Sequence, residues 1–303
     1  MSVSLGFNPL NEPVIENAIP PLKIGQQLIN SRLLVGTGRF ASFEIMRQAL
    51  IASGSDVVTI AIRRDRQHDS DGKNILDFID LQRFRLLPNT SGCYDAVSAV
   101  RCAKMGREIM RSMQPESANW VKLEVLGDSH SLLPDPIETL RATEILVSDG
   151  FEVLVYTSDD PVLARYLQKA GASSVMPAGS PIGSGLGLLN RVNLEIIVND
   201  LKTADPAFPI IVDAGIGTAS DAALAMECGA DAVLLNSAIA RADDVISMSR
   251  AMAMAVQAGY LAARAGRIPV QRFGSASSPE LGVITARKKS EIVGKTRNSD
   301  ETG

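Results

Sequence analysis

Eight short apolar runs, rich in β-branched and aliphatic residues and spread along most of the chain, limit the fold more than any other feature. They are LLVG (33–36), VVTIAI (57–62), FRLLP (84–88), VKLEVLG (121–127), FEVLVYTS (151–158), SSVMPAG (173–179), PIIVDAG (209–215) and AVLLNSAI (232–239). Between them lie stretches of helical periodicity, among them ASFEIMRQALIAS (41–53), YDAVSAVRCAKMGREIM (94–110), PDPIETLRATEILVSDG (134–150) and DPVLARYLQKAG (160–171). Pro161 suits the first turn of its helix with Asp159 or Asp160 as cap, and Gly150 and Gly171 suit helix ends. Strands alternating with helices pair in parallel, and eight such units imply a single α/β domain, a (β/α)8 TIM barrel, with an open doubly wound sheet as the alternative. Such a barrel takes roughly 250 residues. The expected layout is therefore an N-terminal extension (1–21), the barrel (22–285) and a C-terminal tail (286–303).

The long segment 243–266 carries Ala and Met at helical spacing, a pattern of core packing, and reads as the last barrel helix. Beyond Pro269 the composition turns to Ser, Gly, Lys, Arg and Asp, so the tail and its cluster Arg287, Lys288 and Lys289 read as solvated. A formal net charge of -4 and 4% aromatic residues leave no basic stripe or stacking platform for nucleic acid. Cys93, Cys102 and Cys228 show no CxxC spacing, and with only His68 and His130 beside them they imply neither a disulfide framework nor a zinc cluster. Residues 1–22 hold Pro9, Pro13, Pro20 and Pro21 among acids, unlike a secretory signal, and no later stretch reaches membrane-spanning length without charges. The expectation is a cytoplasmic, reducing location without a membrane partner or a resident metal.

The chemistry concentrates at strand ends. In VKLEVLGD (121–128) a lysine and a glutamate lie two apart, so in a strand Lys122 and Glu124 share one face. Inside a barrel, isolated charges cost several kcal/mol each unless paired or used. Lys122 is thus either a salt-bridged residue with Glu124 as its mate, or an amine that sheds its proton in a dry site and attacks a carbonyl to form an imine. Asp213 ends the seventh run; it either bonds local backbone amides or, across the mouth from Lys122, acts as acid or base. After it, DAGIGT offers Gly215 and Gly217 for close backbone approach to an anion, and Thr218 can cap the following helix. Asn236 and Ser237 follow the eighth run, and barrel phosphate sites often use the loops after strands seven and eight. The loop PIGSGLG (181–187) reads as a mobile lid, a backbone contact to ligand, or a plain turn. Arg63 and Arg64 read as a solvated corner, and Asn89 as the start of an Asx turn.

Taken together, VGTGRF (35–40), LPNTSGC (87–93), VKLEVLGD (121–128), LLPDPIETL (132–140), VMPAGSPIGSGLG (175–187), VDAGIGTASDAA (212–223) and LLNSAIA (234–240) closely resemble the thiazole synthase family of thiamine biosynthesis. The resemblance runs in order from about Leu22 to Ile284, including SASSPELG (275–282). It implies a (β/α)8 barrel that condenses 1-deoxy-D-xylulose 5-phosphate, dehydroglycine and sulfur from a sulfur-carrier protein with a C-terminal thiocarboxylate. By matching position, Lys122 resembles the imine-forming lysine and Glu124 and Asp213 the acid/base carboxylates. Gly183, Ala214, Gly215, Asn236 and Ser237 resemble the sugar-phosphate contacts. Ser237 stands where the family often has threonine, which keeps the hydroxyl. The longer KTADPAFP (202–209) reads as a loop insertion away from the chemistry. The resemblance further implies a homo-oligomer, no organic cofactor, and an enzyme that supplies dehydroglycine as a further partner. The chain shows no paired cysteines at a strand end, which fits an external sulfur carrier. Two other readings use the same residues: an aldolase-like lyase, and a catalytically silent sugar-phosphate-binding partner.

Overall fold

The computed structural model describes residues 19–62, 72–275 and 277. Arg63, Arg64, His68, most of the N-terminal extension, and the tail with Arg287, Lys288 and Lys289 lie outside the described residues. The chain divides at Gly266. The unit before it holds the barrel, and in the unit from Arg267 the described residues form neither helix nor strand.

A short antiparallel hairpin, β1 (Leu22–Ile24) and β2 (Gln27–Ile29), comes first. Eight strands follow: β3 (Leu33–Gly36), β4 (Val57–Ala61), β5 (Arg85–Asn89), β6 (Trp120–Leu123), β7 (Glu152–Thr157), β8 (Ser174–Pro177), β9 (Ile211–Asp213) and β10 (Ala232–Leu235). Each falls on one of the eight apolar runs. They pair in parallel in the order β8-β7-β6-β5-β4-β3-β10-β9. Parallel bridges Val175↔Ile210 and Ala178↔Asp213 join β8 to β9 and close the ring, so the architecture is the barrel and not the open sheet.

The helices are α1 (Phe43–Ser53), α2 (Ala96–Met113), α3 (Pro136–Ser148), α4 (Pro161–Lys169), α5 (Arg191–Ala204), α6 (Ala219–Glu227), α7 (Ser237–Ala240) and α8 (Val245–Ala265). Local sequence sets their starts. Asp95, Asp135, Asp160 and Asp244 each accept hydrogen bonds from first-turn amides, and Pro136 and Pro161 occupy first-turn positions where no amide donor is needed. Past the ends of α3 and α4, Gly150 (φ 79°) and Gly171 (φ 92°) take the left-handed conformation expected of them. The presumed insertion KTADPAFP is corrected in part. Its first three residues are the last turn of α5, where Lys202 pairs with Asp231 at 2.8 Å, and only the remainder is loop.

Two apolar layers hold the barrel. The larger lies between strands and helices; the second fills the barrel interior. In the interior layer Leu22, Ile24 and Ile29 of the hairpin join Val57, Trp120, Ile211 and Ala232, which are the first residues of β4, β6, β9 and β10. The hairpin therefore plugs the N-terminal end of the barrel. Its alternation of buried Leu22 and Ile24 around exposed Lys23 is the period of a half-buried strand. Polar pins hold it in place: the Gln26 amide donates to Glu152 at 2.9 Å, and Arg85 donates to the Leu28 carbonyl at 2.9 Å. With that end sealed, the interior opens only toward the C-terminal ends of the strands.

Candidate active site

Lys122 enters the barrel interior because Trp120, two residues earlier on β6, faces inward at the plugged end and the strand repeats every two residues. The same rule carries Glu124 to the interior just past the strand. Asp213, the last residue of β9, comes from across the mouth. The Lys122 Nζ lies 2.8 Å from Glu124 Oε1 and 2.7 Å from Asp213 Oδ2. All three are buried, with relative exposures of 5%, 5% and 3%. Thr90 fixes Glu124 from β5's end: its hydroxyl accepts from the Glu124 amide and donates to the Glu124 carbonyl, both at 2.8 Å. Asn89, opposite Lys122 in register, accepts the Ser91 amide at 3.2 Å and so forms the Asx turn.

Burial is the largest single influence on the lysine and pulls its pKa down, but Asp213 and then Glu124 outweigh it together and hold the amine above its ordinary range. Lys122 therefore rests as an ammonium. Burial acts on Asp213 in the opposite sense and raises its carboxyl above the usual carboxylate range, despite the adjacent lysine. Its surroundings therefore make Asp213 easier to protonate than an ordinary aspartate. Tyr156 on β7 completes the group: it is fully buried, and its ring centroid is 5.7 Å from Nζ.

Lys122, Glu124, Asp213, Gly183, Ala214, Gly215, Asn236 and Ser237 all border one cavity of about 1390 Å³. The backbone of its wall is unusual at Ala214 and Gly215, which have φ of 65° and 78°. A left-handed alanine costs of order 1 kcal/mol or more and persists only where the surroundings fix it. At Gly215 a side chain is excluded outright, since a Cβ would meet the Ser180 amide nitrogen at 2.5 Å. Asn236 donates to the Gly38 carbonyl at 2.8 Å while its own side-chain oxygen is buried without a partner.

Two residues of DAGIGT do not join the cavity. The amides of Gly217 and Thr218 both donate to Asp221 at 3.0 Å, so they are not free to meet an anion. Thr218 caps α6 as expected, and Gly217 lets the 181–187 loop approach closely, its Cβ position lying 3.0 Å from the Gly185 carbonyl carbon. That loop is pinned to the cavity wall rather than hanging free: Gly187 donates to the Gly215 carbonyl at 2.8 Å. The sequence reading missed Tyr156, Thr90, Gly38 and Ser180. For Tyr156 a signal exists, because it stands two residues after Leu154 on the inward face of the same strand. For Thr90 and Ser180 nothing in local sequence points inward.

Among the described residues no cluster of His, Cys, Asp and Glu is arranged to hold a metal ion. The three cysteines are buried thiols outside any disulfide. No helix of the described residues is long and apolar enough to cross a membrane.

A barrel sealed at one end, with an amine clasped by two carboxylates at the other and a large cavity of mixed polar and apolar lining above them, is that of an α/β-barrel enzyme working at its C-terminal mouth. The family described as thiazole biosynthesis protein ThiG matches residues 23–279. The thiazole synthase of Rhodopirellula baltica is 60% identical over 267 residues, covering 88% of this chain and 93% of that protein. The thiazole synthase of Stenotrophomonas maltophilia strain R551-3 is 52% identical over 264 residues, covering 87% and 96%. Among solved structures, the Amycolatopsis orientalis BexX/CysO complex matches with a TM-score of 0.72 and 32% identity, over 83% of this chain and 99% of that one. The chain belongs to the thiazole synthase family, the sulfur-transferring transferases of thiamine biosynthesis.

Proposed function

We propose that the chain condenses 1-deoxy-D-xylulose 5-phosphate with dehydroglycine and with sulfur from the thiocarboxylate of a carrier protein, through an imine on Lys122. The observation that carries the reading is the Lys122 Nζ held within 2.8 Å of two carboxylates in a buried site beneath an open cavity. The ammonium passes a proton to Asp213, and the free amine adds to the ketone carbon of the sugar. Proton return to the carbinol oxygen releases water, leaving a C=N bond to Nζ. Glu124 and Asp213 then move protons along the sugar to shift the carbonyl. Positioned acid/base groups of this kind typically contribute about 10²- to 10⁴-fold. The thiocarboxylate sulfur bonds to the shifted carbonyl carbon, and the carrier's acyl group passes to that carbonyl's oxygen, so that the acyl–sulfur bond breaks and the carrier leaves as its carboxylate. The imino acid nitrogen displaces Lys122 before the ring closes through sulfur with loss of a second water.

Gly183, Ala214, Gly215, Asn236 and Ser237 hold the phosphate end on this reading. The cavity volume, about 1390 Å³, exceeds the roughly 300–1,000 Å³ usual for a single small-molecule site, which leaves room for a second reactant and the end of a carrier tail. The BexX/CysO complex supports a protein partner for this fold. The family match to residue 279 supports a catalytic region of 22–285, extending past the last barrel helix. A cytoplasmic homo-oligomer supplied by a separate dehydroglycine-producing enzyme completes the proposal.

Borohydride reduction in the presence of the phosphosugar, followed by peptide mass spectrometry, is expected to find the sugar on Lys122. A modification on another residue, or none with a competent substrate, overturns the assignment. Retro-aldol cleavage of phosphosugars without any carrier protein would instead favour the lyase reading.

A further inference from the structure

The family reading uses Lys122, Glu124 and Asp213 and leaves one group in direct reach of the reacting nitrogen without a role. We infer that Tyr156 is a positioning residue whose ring face holds the cationic nitrogen of Lys122, as ammonium and then as protonated imine, while its hydroxyl fixes the loop that follows Glu124.

The ring is fully buried on β7, the strand that pairs with the one carrying Lys122, and its centroid lies 5.7 Å from Nζ. That is within the roughly 6 Å over which a ring quadrupole attracts a cation, and the attraction grows when water is excluded. Its surroundings connect three parts of the mouth. Tyr156 packs with Leu126 and Ala178, and Leu132, Ile182 and Ala214 pack against that group. These come from the loop after Glu124, the glycine-rich loop and the residue after Asp213. The hydroxyl donates to the Leu132 carbonyl at 3.4 Å, and Leu132 is one of the described non-glycine residues with left-handed backbone, at φ 55°. Such a conformation costs of order 1 kcal/mol or more and needs an external tie, which the phenol supplies.

The division of labour follows from what each group can do with a proton. Glu124 and Asp213 stabilise the cation but also accept its proton, so their support vanishes at the moment either acts as base. A ring face accepts no proton. The phenol stays neutral, since burial first and then the charges of Asp213 and Glu124 oppose its ionisation. The titratable groups facing Lys122 are Glu124 on its own segment, Asp213 from β9 and Tyr156 from β7. Tyr156 is the one of these that supports the cation in every protonation state of the acids.

The inference rests on the imine reading for its second half and not for its first, and the test separates them. Replacement of Tyr156 by Phe and then by mono-, di- and trifluorinated phenylalanines keeps the ring's shape while withdrawing charge from its face. The rate at which acetic anhydride acylates Lys122, measured at one alkaline pH without sugar, should rise stepwise along the series as the free amine becomes more populated. The fraction trapped by borohydride with subsaturating phosphosugar should fall stepwise. Each change should amount to between about twofold and thirtyfold over the series, the range a cation–ring contact commands. Flat acylation across the series overturns the inference about Tyr156. A stepwise acylation series with no sugar trapped on the unaltered protein overturns the imine reading and leaves the role of the ring standing.

Discussion

Removing the amine while leaving both acids tests the electrostatics of the site directly. In Lys122→Met the side-chain stem is nearly conserved, but the cation that neutralised two buried carboxylates is gone. Their oxygens lie 2.8 and 2.7 Å from the nitrogen, so the two are at most about 5.5 Å apart. At an effective dielectric of 20, two like charges at that distance repel by at least about 3 kcal/mol. This matches the roughly 3–5 kcal/mol cost of stranding one partner of a buried pair. The same energy raises the proton affinity of the pair by about a hundredfold. A carboxyl whose pKa is raised on folding favours the folded state at pH below its unfolded value, and that advantage is lost as pH rises through the folded value. Asp213 is already raised by burial in the intact site. The stability deficit of Lys122→Met against wild type should therefore be small near pH 4 to 5 and grow toward pH 8, with Asp213→Asn added in the same chain restoring most of it. Urea unfolding at a series of pH values measures both quantities. A deficit independent of pH, or a double variant no more stable than the single one, would refute the charge argument.

Other expectations follow from single contacts. Glu124→Gln keeps the shape and the Thr90 tether but cannot cycle a proton, so kcat should fall by about 10²- to 10⁴-fold while phosphosugar affinity changes little, as steady-state kinetics and a binding titration would show. Gly215→Ala drives a methyl group into Ser180 and should raise KM for the phosphosugar at least tenfold; unchanged KM would remove the 214–215 backbone from the phosphate cradle. Gln114 is buried, donating to the Leu81 and Phe84 carbonyls at 2.9 and 2.8 Å and accepting the Leu86 amide at 2.8 Å. Gln114→Leu should cost about 2 to 4 kcal/mol in chemical denaturation without altering KM, because three backbone groups lose their partner far from the mouth.

The barrel was legible in the sequence because both of its periodicities are strong: eight apolar runs became eight strands, and an aspartate and a proline marked a helix start at Asp160 and Pro161. The plug was not. Its two strands have three residues each, too short for an alternating pattern to stand out, and their burial comes from long-range contacts with Trp120 and Ile211. The shared buried face of Lys122 and Glu124 was legible because two charges two residues apart in an apolar strand must point the same way and find a partner. Asp213 could be placed at a strand end, but its meeting with Lys122 depends on ring closure between β8 and β9, which no local pattern encodes. DAGIGT misled at Gly217 for a related reason, while Thr218 caps α6 as its sequence suggests. A glycine admits close approach by anything, and here what approaches is the neighbouring loop at Gly185 and the side chain of Asp221.

An ammonium between two carboxylates is a poor nucleophile at rest; on the proposed reading the same cluster can still act as one. Transferring the proton from Lys122 to Asp213 turns an ion pair into a neutral amine beside a neutral acid. In water that transfer is opposed by the hydration of both ions, but here both are buried and have already lost most of it. The influences on Lys122 are divided in this way: burial, the largest of them, favours the neutral amine, and the carboxylates jointly hold it charged. On the proposed reading, a substrate that fills the cavity and displaces its water strengthens the first influence, and protonation of Asp213 removes the larger carboxylate contribution to the second. Glu124 remains to receive the next proton. On that reading two acids at one amine do more than neutralise it: one can be spent to uncover the nucleophile while the other, anchored by Thr90, keeps the nitrogen in place.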